Sequence, residues 1–264
     1  MQKHYQHIVL TSEGPVAHVR LNRPDVHNAF DSTLIAEITD AFTEVASVAH
    51  DTVRVVVLSG AGKSFCAGAD VNWMRSSLDF THADNVADAS RMAEMFSLID
   101  RTPAVVICRV QGAALGGGAG LAAVSDIVVA EENARFAFSE AKLGIAPAVI
   151  SPYVLRKIGL SHARALFFTA ERFSAHRALQ IGLVHRVVSQ EELEPEIDRL
   201  VNEVLSSSPA AIARAKTLIA KVPTLTAAEA TWLTVATIAD LRASPEGQEG
   251  LRAFLEKRKP QWSL

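Results

Sequence analysis

Apolar residues along the chain follow one rhythm up to about residue 150 and another after it. In the first part short apolar runs dominate. Residues 8–10 lead into a polar turn at 12–15, and 16–21 alternates as the second strand of a hairpin would. Residues 53–58, 104–110 and 127–130 are near-continuous apolar runs, as expected of strands covered on both faces, and 136–138 is a shorter one. Between them lie amphipathic stretches. Asp31 and Ser32 can cap a helix that runs to about Ala49 with Leu34, Ile35, Ile38 and Phe42 on one face. Residues 79–101 begin polar, which predicts a mobile loop, and end in a helix carrying Met92, Met95, Phe96 and Ile99. A unit of strand, strand and helix thus returns about every fifty residues, which predicts either a spiral or a wound sheet.

Past residue 150 the pattern is helical. Stretches 151–158, 161–168 and 174–181 each begin at a serine and end near Gly159, Thr169 or Gly182. Residues 184–188 are the last strand candidate, and 191–205, 209–221, 226–242 and 245–257 read as helices. Thr226 with Glu229 makes a capping box, and Ser244 followed by Pro245 makes an N-cap with proline in the first turn. Leu233, Val235, Ile238, Leu241 and Leu251 give this tail an apolar face that needs a partner surface. The expected division is a core over 1–190 and a C-terminal helical region over 191–264.

Composition removes several function classes. The chain has 264 residues, 49% hydrophobic and 21% charged, with a net charge of −3. A nucleic-acid protein is usually basic, so no nucleic-acid partner is expected. No run of eighteen apolar residues occurs and no signal-peptide core stands at the N-terminus, so no membrane partner is expected either. The two cysteines, Cys66 and Cys108, read as reduced thiols of a cytoplasmic protein. The nine histidines show no zinc spacing, and no metal site is expected. Gly62-Lys63-Ser64 resembles the end of a phosphate loop, but Val57 stands where that loop needs glycine. The G-x-G-x-x-A match at 118–123 follows a strand, yet the helix after it is too short for a dinucleotide-binding crossover. No G-x-S-x-G elbow occurs. The basic cluster Lys257-Arg258-Lys259 reads as a solvated helix end.

The chemistry gathers at 111–147. The stretch QGAALGGGAGLAAVSD at 111–126 places Gly116, Gly117 and Gly118 between an apolar strand and a short alanine-rich helix. Free N–H groups at such a helix start face incoming negative charge, and glycines let a substrate approach the backbone closely. About twenty residues on, Glu140 stands among Phe136, Phe138, Ala141 and Leu143. A carboxyl in apolar company has a raised pKa and can carry protons near neutral pH. Oxyanion donors beside one such base suit enolate chemistry.

These motifs resemble the crotonase (enoyl-CoA hydratase/isomerase) superfamily. SFCAGADV at 64–71 is similar to that family's F-x-A-G-A-D loop, and LNRP at 21–24, Asn28-Ala29, GLV at 182–184 and EGLRAFLEKRKP at 249–260 follow in the family's order. The resemblance implies an α/β (α+β) spiral of ββα units with a C-terminal helical trimerisation region, forming a homotrimer or a dimer of trimers. It implies an acyl-CoA thioester as substrate, with coenzyme A as part of that substrate and no separate cofactor. By the same resemblance the oxyanion donors are the backbone N–H groups of Ala69 and Gly117, and Glu140 is the acid–base. Arg23, Val26, Ala29, Ala67, Asp70 and Val71 fall where the family cradles coenzyme A. Two-carboxylate hydratases of the family carry a second glutamate where this chain has Gly120, which is also expected beside the substrate. Single-carboxylate members include Δ3-Δ2-enoyl-CoA isomerases, and loss of the glutamate also leaves room for a non-catalytic acyl-CoA-binding scaffold. FCAGADVNWMR at 65–75 and LGIAPAVISP at 143–152 look most like the methylglutaconyl-CoA and isohexenylglutaconyl-CoA hydratase group, so hydration of a 2-enoyl-CoA is expected.

Overall fold

The long apolar runs become a single sheet. In the computed structural model, which describes residues 4–48 and 52–263, strands β1 (Ile8–Glu13), β2 (Val16–Leu21), β3 (Val55–Gly60), β4 (Val105–Val110), β6 (Ile127–Glu131) and β9 (Arg186–Val188) lie side by side in that order. Only the hairpin pair β1–β2 is antiparallel. Three short strands, β5 (Ala113–Leu115), β7 (Arg135–Ala137) and β8 (Phe173–Ser174), make a second sheet. Two parallel bridges, Cys66 with Ala114 and Phe30 with Ala69, continue its pattern toward the N-terminus. The helices are α1 (Ser32–Ser47), α2 (Val71–Ser76), α3 (His82–Arg101), α4 (Gly117–Val124), α5 (Ser151–Thr169), α6 (Ala175–Gln180), α7 (Leu193–Ser206), α8 (Pro209–Lys221), α9 (Ala227–Ala243) and α10 (Pro245–Leu255).

The chain is a spiral. Each turn visits the large sheet, then the small sheet, then a helix: β2, Phe30 and α1; β3, Cys66 and α2–α3; β4, β5 and α4; β6, β7 and α5. The large-sheet strands of these turns start at residues 16, 55, 105 and 127, so the repeat is uneven. The short α4 explains the close spacing of the last two.

Alternation accounts for the apolar runs. Val56, Leu58, Val106, Cys108, Val128 and Ala130 pack toward α1, α3 and α4. Val55, Val57, Val105, Ile107 and Val129 point the other way and meet Leu193, Ile197 and Leu205 of α7. Both faces are therefore covered, as the near-continuous apolar runs of these strands require. Arg54 fixes this second layer by donating to the carbonyls of Leu205 (2.9 Å), Ser207 (2.5 Å) and Trp262 (3.0 Å).

Local signals hold at most element ends. Asp31 caps α1 by accepting from the Leu34 N–H at 2.7 Å; α1 ends at Ser47, and Ala49 lies outside the described residues. Gly159, at φ 71°, breaks α5 where the sequence suggested a boundary. Thr226 and Glu229 form the expected capping box, and Ser244 caps α10. One expectation changes. The polar residues after 79 are no separate loop: α3 starts at His82 behind a Thr81–Asp84 capping box, and their polarity marks an exposed helix face. Among the described residues no helix is long and apolar enough to cross a membrane. Trp232, Val235, Ile238, Leu251, Phe254 and Leu255 of α9 and α10 stay exposed, so the chain's own core does not cover that apolar face.

Candidate active site

β5 ends at a turn only glycine fits well. Gly116 has φ 50° and ψ −119°, close to the first central position of a type II′ turn. Its N–H donates to the Ala137 carbonyl at 2.8 Å, which ties the turn to the end of β7. α4 begins at the next residue, so the Gly117 N–H belongs to a first turn that has no intrahelical acceptor. The next two glycines are packing requirements. A Cβ on Gly117 would lie 2.8 Å from the Phe30 ring, and one on Gly118 would lie 2.3 Å from the Cys66 carbonyl.

A second N–H of this kind comes from the loop after β3. In the bridge between Phe30 and Ala69, the Phe30 N–H donates to Gly68 O at 2.7 Å and the Asp70 N–H donates to Phe30 O at 2.8 Å. The residue between, Ala69, has its own N–H turned to the opposite side, and Ala69 is exposed. No backbone acceptor for the N–H of Ala69 or Gly117 is found among the described residues. The two loops touch: a Cβ on Gly68 would meet Leu115 O at 3.1 Å, and the Cβ position of Gly116 is 3.9 Å from Gly68 Cα.

Glu140 completes the cluster. It opens a 3-10 turn (Glu140–Leu143) that closes on left-handed Gly144. Its Oε1 lies 3.4 Å from the Cβ position of Gly116. Its Oε2 is buried with no hydrogen-bond partner among the described residues. Burial pushes its pKa above the ordinary carboxylate value, against a smaller opposing effect of its own backbone N–H. The apolar company is narrower than the sequence suggested. Phe136 and Phe138 are wholly buried, whereas Ala141 and Leu143 are exposed. Two free N–H groups and a proton-hungry carboxylate thus converge from three stretches that are far apart in sequence.

The model for Enoyl-CoA hydratase/isomerase matches residues 11–264. The chain belongs to this family. It is 34% identical over 257 residues to a crotonyl-CoA hydratase of Syntrophomonas wolfei, covering 97% of each chain. It is 30% identical over 264 residues to a trans-2-decenoyl-(acyl-carrier-protein) isomerase of Streptococcus mutans, covering 98% of each. A crystal structure of an enoyl-CoA hydratase from Shewanella pealeana superposes with a TM-score of 0.93 at 40% identity, over 97% of this chain and 96% of that one.

Within this family member, the residues expected to cradle coenzyme A divide into two groups. Val26 and Val71 are exposed and Ala67 is half-buried, so a ligand can reach them. The Arg23 and Asp70 side chains pair inside the chain, and Ala29 is buried. The Arg23 guanidinium reaches Ala29 O (2.5 Å), Asp31 (3.0 Å) and Asp70 (3.0 Å). Asp70 also caps α2 through the Asn72 N–H at 2.7 Å. Burial alone would raise the Asp70 pKa, but the Asn72 and Arg23 hydrogen bonds outweigh it and hold the pKa low.

Gly120, expected beside the substrate, is buried and packed against α5 and α3. A Cβ there would lie 2.4 Å from Ile150 Cγ2 and 3.0 Å from Phe96 Cζ, so the place of a side chain at 120 is already filled. Sequence reasoning did not single out Ile150, Phe30 or the Asn28 amide as parts of the site. Only the Asn28-Ala29 motif pointed toward the last.

Proposed function

We propose that the chain stabilises the enolate of an acyl-CoA thioester and hydrates a 2-enoyl-CoA with a methylglutaconyl-CoA-like acyl group. The observation that carries this reading is the convergence of Ala69, Gly117 and Glu140: the two N–H groups have no backbone acceptor, and Glu140 Oε2 has no partner, among the described residues. The thioester oxygen accepts from the two N–H groups. Glu140 takes a proton from water as the water oxygen bonds to C3, and electrons move through C2 to the thioester oxygen. Protonated Glu140 then returns the proton to C2 as the thioester carbonyl re-forms. The negative charge is met by fixed dipoles, each worth about 3 kcal/mol. A raised carboxyl pKa suits a group that must both take and give a proton. No cofactor is needed beyond the coenzyme A of the substrate.

The stretches at 65–75 and 143–152 support the methylglutaconyl group of substrates. So do two exposed cations, Arg75 in the helix that follows Asp70 and Lys142 in the same turn as Glu140, which would suit a distal carboxylate. The uncovered apolar face of α9 and α10 supports the assembly of residues 191–264 into a homotrimer or a dimer of trimers. Light scattering on the purified chain tests this, and a monomer would remove it. The free, buried Cys66 and Cys108 suit a cytoplasmic setting.

A Δ3-Δ2-enoyl-CoA isomerase is the second reading, favoured by the single carboxylate. Moving a proton between two carbons needs only one acid–base, and Ile150 leaves no room for another at 120. A non-catalytic scaffold fits less well, because Glu140 keeps a buried unsatisfied oxygen at the site. The deciding experiment follows 2-enoyl absorbance with methylglutaconyl-CoA, crotonyl-CoA and a 3-enoyl-CoA. Hydration removes that absorbance and isomerisation of the 3-enoyl ester creates it. Glu140→Gln keeps the shape and removes the proton carrier, so turnover should fall at least about 10²-fold. A folded variant with most of its activity on every thioester would show that Glu140 is not the acid–base.

A further inference from the structure

We propose that Asn28 is a positioning residue for the oxyanion site, its side-chain amide fixing the loop that presents the Ala69 N–H. The proposal rests on reading Ala69 and Gly117 as the paired donors. His27 and Asn28 are consecutive residues in the left-handed region, at φ 52° and 55°, immediately before the Ala29–Phe30 step into the small sheet. Non-glycine residues adopt that conformation only where surrounding structure holds them, and asparagine tolerates it better than most.

The surroundings here are the loop itself. The Asn28 side chain is wholly buried. Its Oδ1 accepts from the Arg23 N–H at 2.8 Å, and its Nδ2 donates to Ala61 O at 2.9 Å and to Ser64 O at 2.8 Å. One amide therefore spans the first half of the loop between β3 and α2. His27 continues the clamp: its carbonyl accepts from the Ala67 N–H at 3.0 Å, and its Nδ1 lies 3.0 Å from Ser64 Oγ. Phe30 finishes it through its bonds with Gly68 O and the Asp70 N–H. Residues 27–30 thus hold the loop at 61, 64, 67, 68 and 70, and the Ala69 N–H, between two of these held residues, has no backbone acceptor among the described residues.

The same segment reaches the other donor. The Phe30 ring lies 2.8 and 3.0 Å, at Cε2 and Cδ2, from the Cβ position of Gly117. A shift of residues 28–30 therefore moves both donors and alters their separation. The Asn28 amide, with all its bonds inside the chain, touches no reacting atom and acts through Ala69 and Phe30.

Asn28→Gly is the primary test. Glycine accepts the left-handed backbone without strain and deletes all three amide bonds. In the folded variant kcat should fall about 10- to 100-fold, because donors displaced by a fraction of an ångström stabilise the enolate poorly, while KM stays within a few-fold. The discriminating readout is the infrared carbonyl stretch of a bound enoyl-CoA labelled with carbon-13 at C1. Two aligned donors polarise that carbonyl and lower its frequency. Asn28→Gly should lose much of this shift, whereas a merely less stable protein would bind less ligand at an unchanged frequency. Ser64→Ala removes only the His27 contact and carries the test should Asn28→Gly not fold; its expected loss in kcat is about two- to five-fold, with a smaller carbonyl change. Wild-type kcat and carbonyl frequency in the folded Asn28→Gly, or in Ser64→Ala if it is the only variant that folds, would overturn the proposal. Failure of the underlying reading looks different: the wild-type protein itself would neither turn over nor polarise any enoyl thioester.

Discussion

The contact at Gly120 gives the sharpest test of how packing sets the chemistry. A Cβ at this position would stand 2.4 Å from Ile150 Cγ2, 3.1 Å from Ile150 Cβ and 3.0 Å from Phe96 Cζ. Ordinary carbon contacts lie near 3.5–4.0 Å, so the overlap with Ile150 is about 1 Å. Ile150 has little freedom to yield. It is β-branched, 3% exposed and placed at the N-cap of α5, whose first turn contains Pro152. Phe96 is wholly buried, with its ring against Tyr153 at 5.7 Å. Overpacking of this kind costs about 1–3 kcal/mol, and replacing a helical glycine with alanine returns about 1 kcal/mol. Gly120→Ala should therefore destabilise by about 0–2 kcal/mol, a fall in Tm of up to about 8 °C for a domain of this size.

The kinetic effect should be larger than the thermal one. α4 must move away from α5 to relieve the overlap, and α4 carries Gly117, the proposed donor, as its first residue. A displacement of about 1 Å near the reacting groups can lower kcat about 10²-fold. Ile150→Ala alone should cost about 2–5 kcal/mol through the cavity it leaves. The double variant should be more stable than the two single effects predict, with a coupling of about 0.5–3 kcal/mol, and should recover part of the lost kcat. Thermal unfolding of the four proteins with parallel kcat measurements closes the cycle. A Gly120→Ala protein of wild-type stability and turnover, with no coupling to Ile150→Ala, would refute the reasoning. The same geometry rules out Gly120→Glu as a simple gain of a second acid. Only with Ile150→Ala does a glutamate at 120 have space, so only that pair should raise hydration of crotonyl-CoA.

Gly116→Ala should lower both Tm and kcat, since φ 50° with ψ −119° strains any L-residue and the new methyl would sit 3.4 Å from Glu140 Oε1; wild-type values in unfolding and turnover assays would show the turn to be tolerant. His185 predicts a loss of stability in mild acid. Its Nδ1 accepts from the Val128 N–H at 2.9 Å, and burial first, then Lys157 and Arg186, lower its pKa to about 4. The folded state therefore binds fewer protons than the unfolded one between pH 6.5 and 4, so the stability this histidine contributes is whole above pH 6.5 and lost as pH falls through that window. Allowing for partial exposure, urea unfolding should show a loss of about 1–2 kcal/mol across it. His185→Gln should flatten that slope, and an unchanged slope would remove His185 as its source.

How much was legible depended on whether a signal was local. Strands buried on both faces announce themselves as apolar runs, and caps such as Asp31, Thr226 and Ser244 sit where a side chain can bond a neighbouring N–H. β5 and β8, of three and two residues, were not legible, because so few positions carry no period. The donor turn was readable as adjacent glycines, and Glu140 as a carboxyl after an apolar run. The fate of Arg23 and Asp70 was not, since their partnership joins residues 47 positions apart. Nor was the role of Gly120. A missing side chain reads as open space in a sequence, and only the fold shows that Ile150 has taken the space.

That substitution bears on the division between hydration and isomerisation. With two carboxylates, one can orient water while the other handles the carbon-bound proton. On the proposed reading Glu140 does both in turn, and its buried Oε2, without a hydrogen-bond partner among the described residues, is the acceptor that a water or a substrate C–H approaches. Isomerisation makes no demand for water, so a dry site would favour it. Hydration requires that a water reach C3 on the side where Glu140 lies. The turn that follows Glu140 is open to solvent: residues 141–146 are exposed, and Leu143 and Ile145 leave 60% and 61% of their surface in solvent. Solvent therefore reaches the Glu140 turn, and on the α4 side Ile150 and Phe96 fill the Cβ position of residue 120. A single acid–base fed by water from one direction suffices for hydration. It also ties hydration to the openness of residues 141–146.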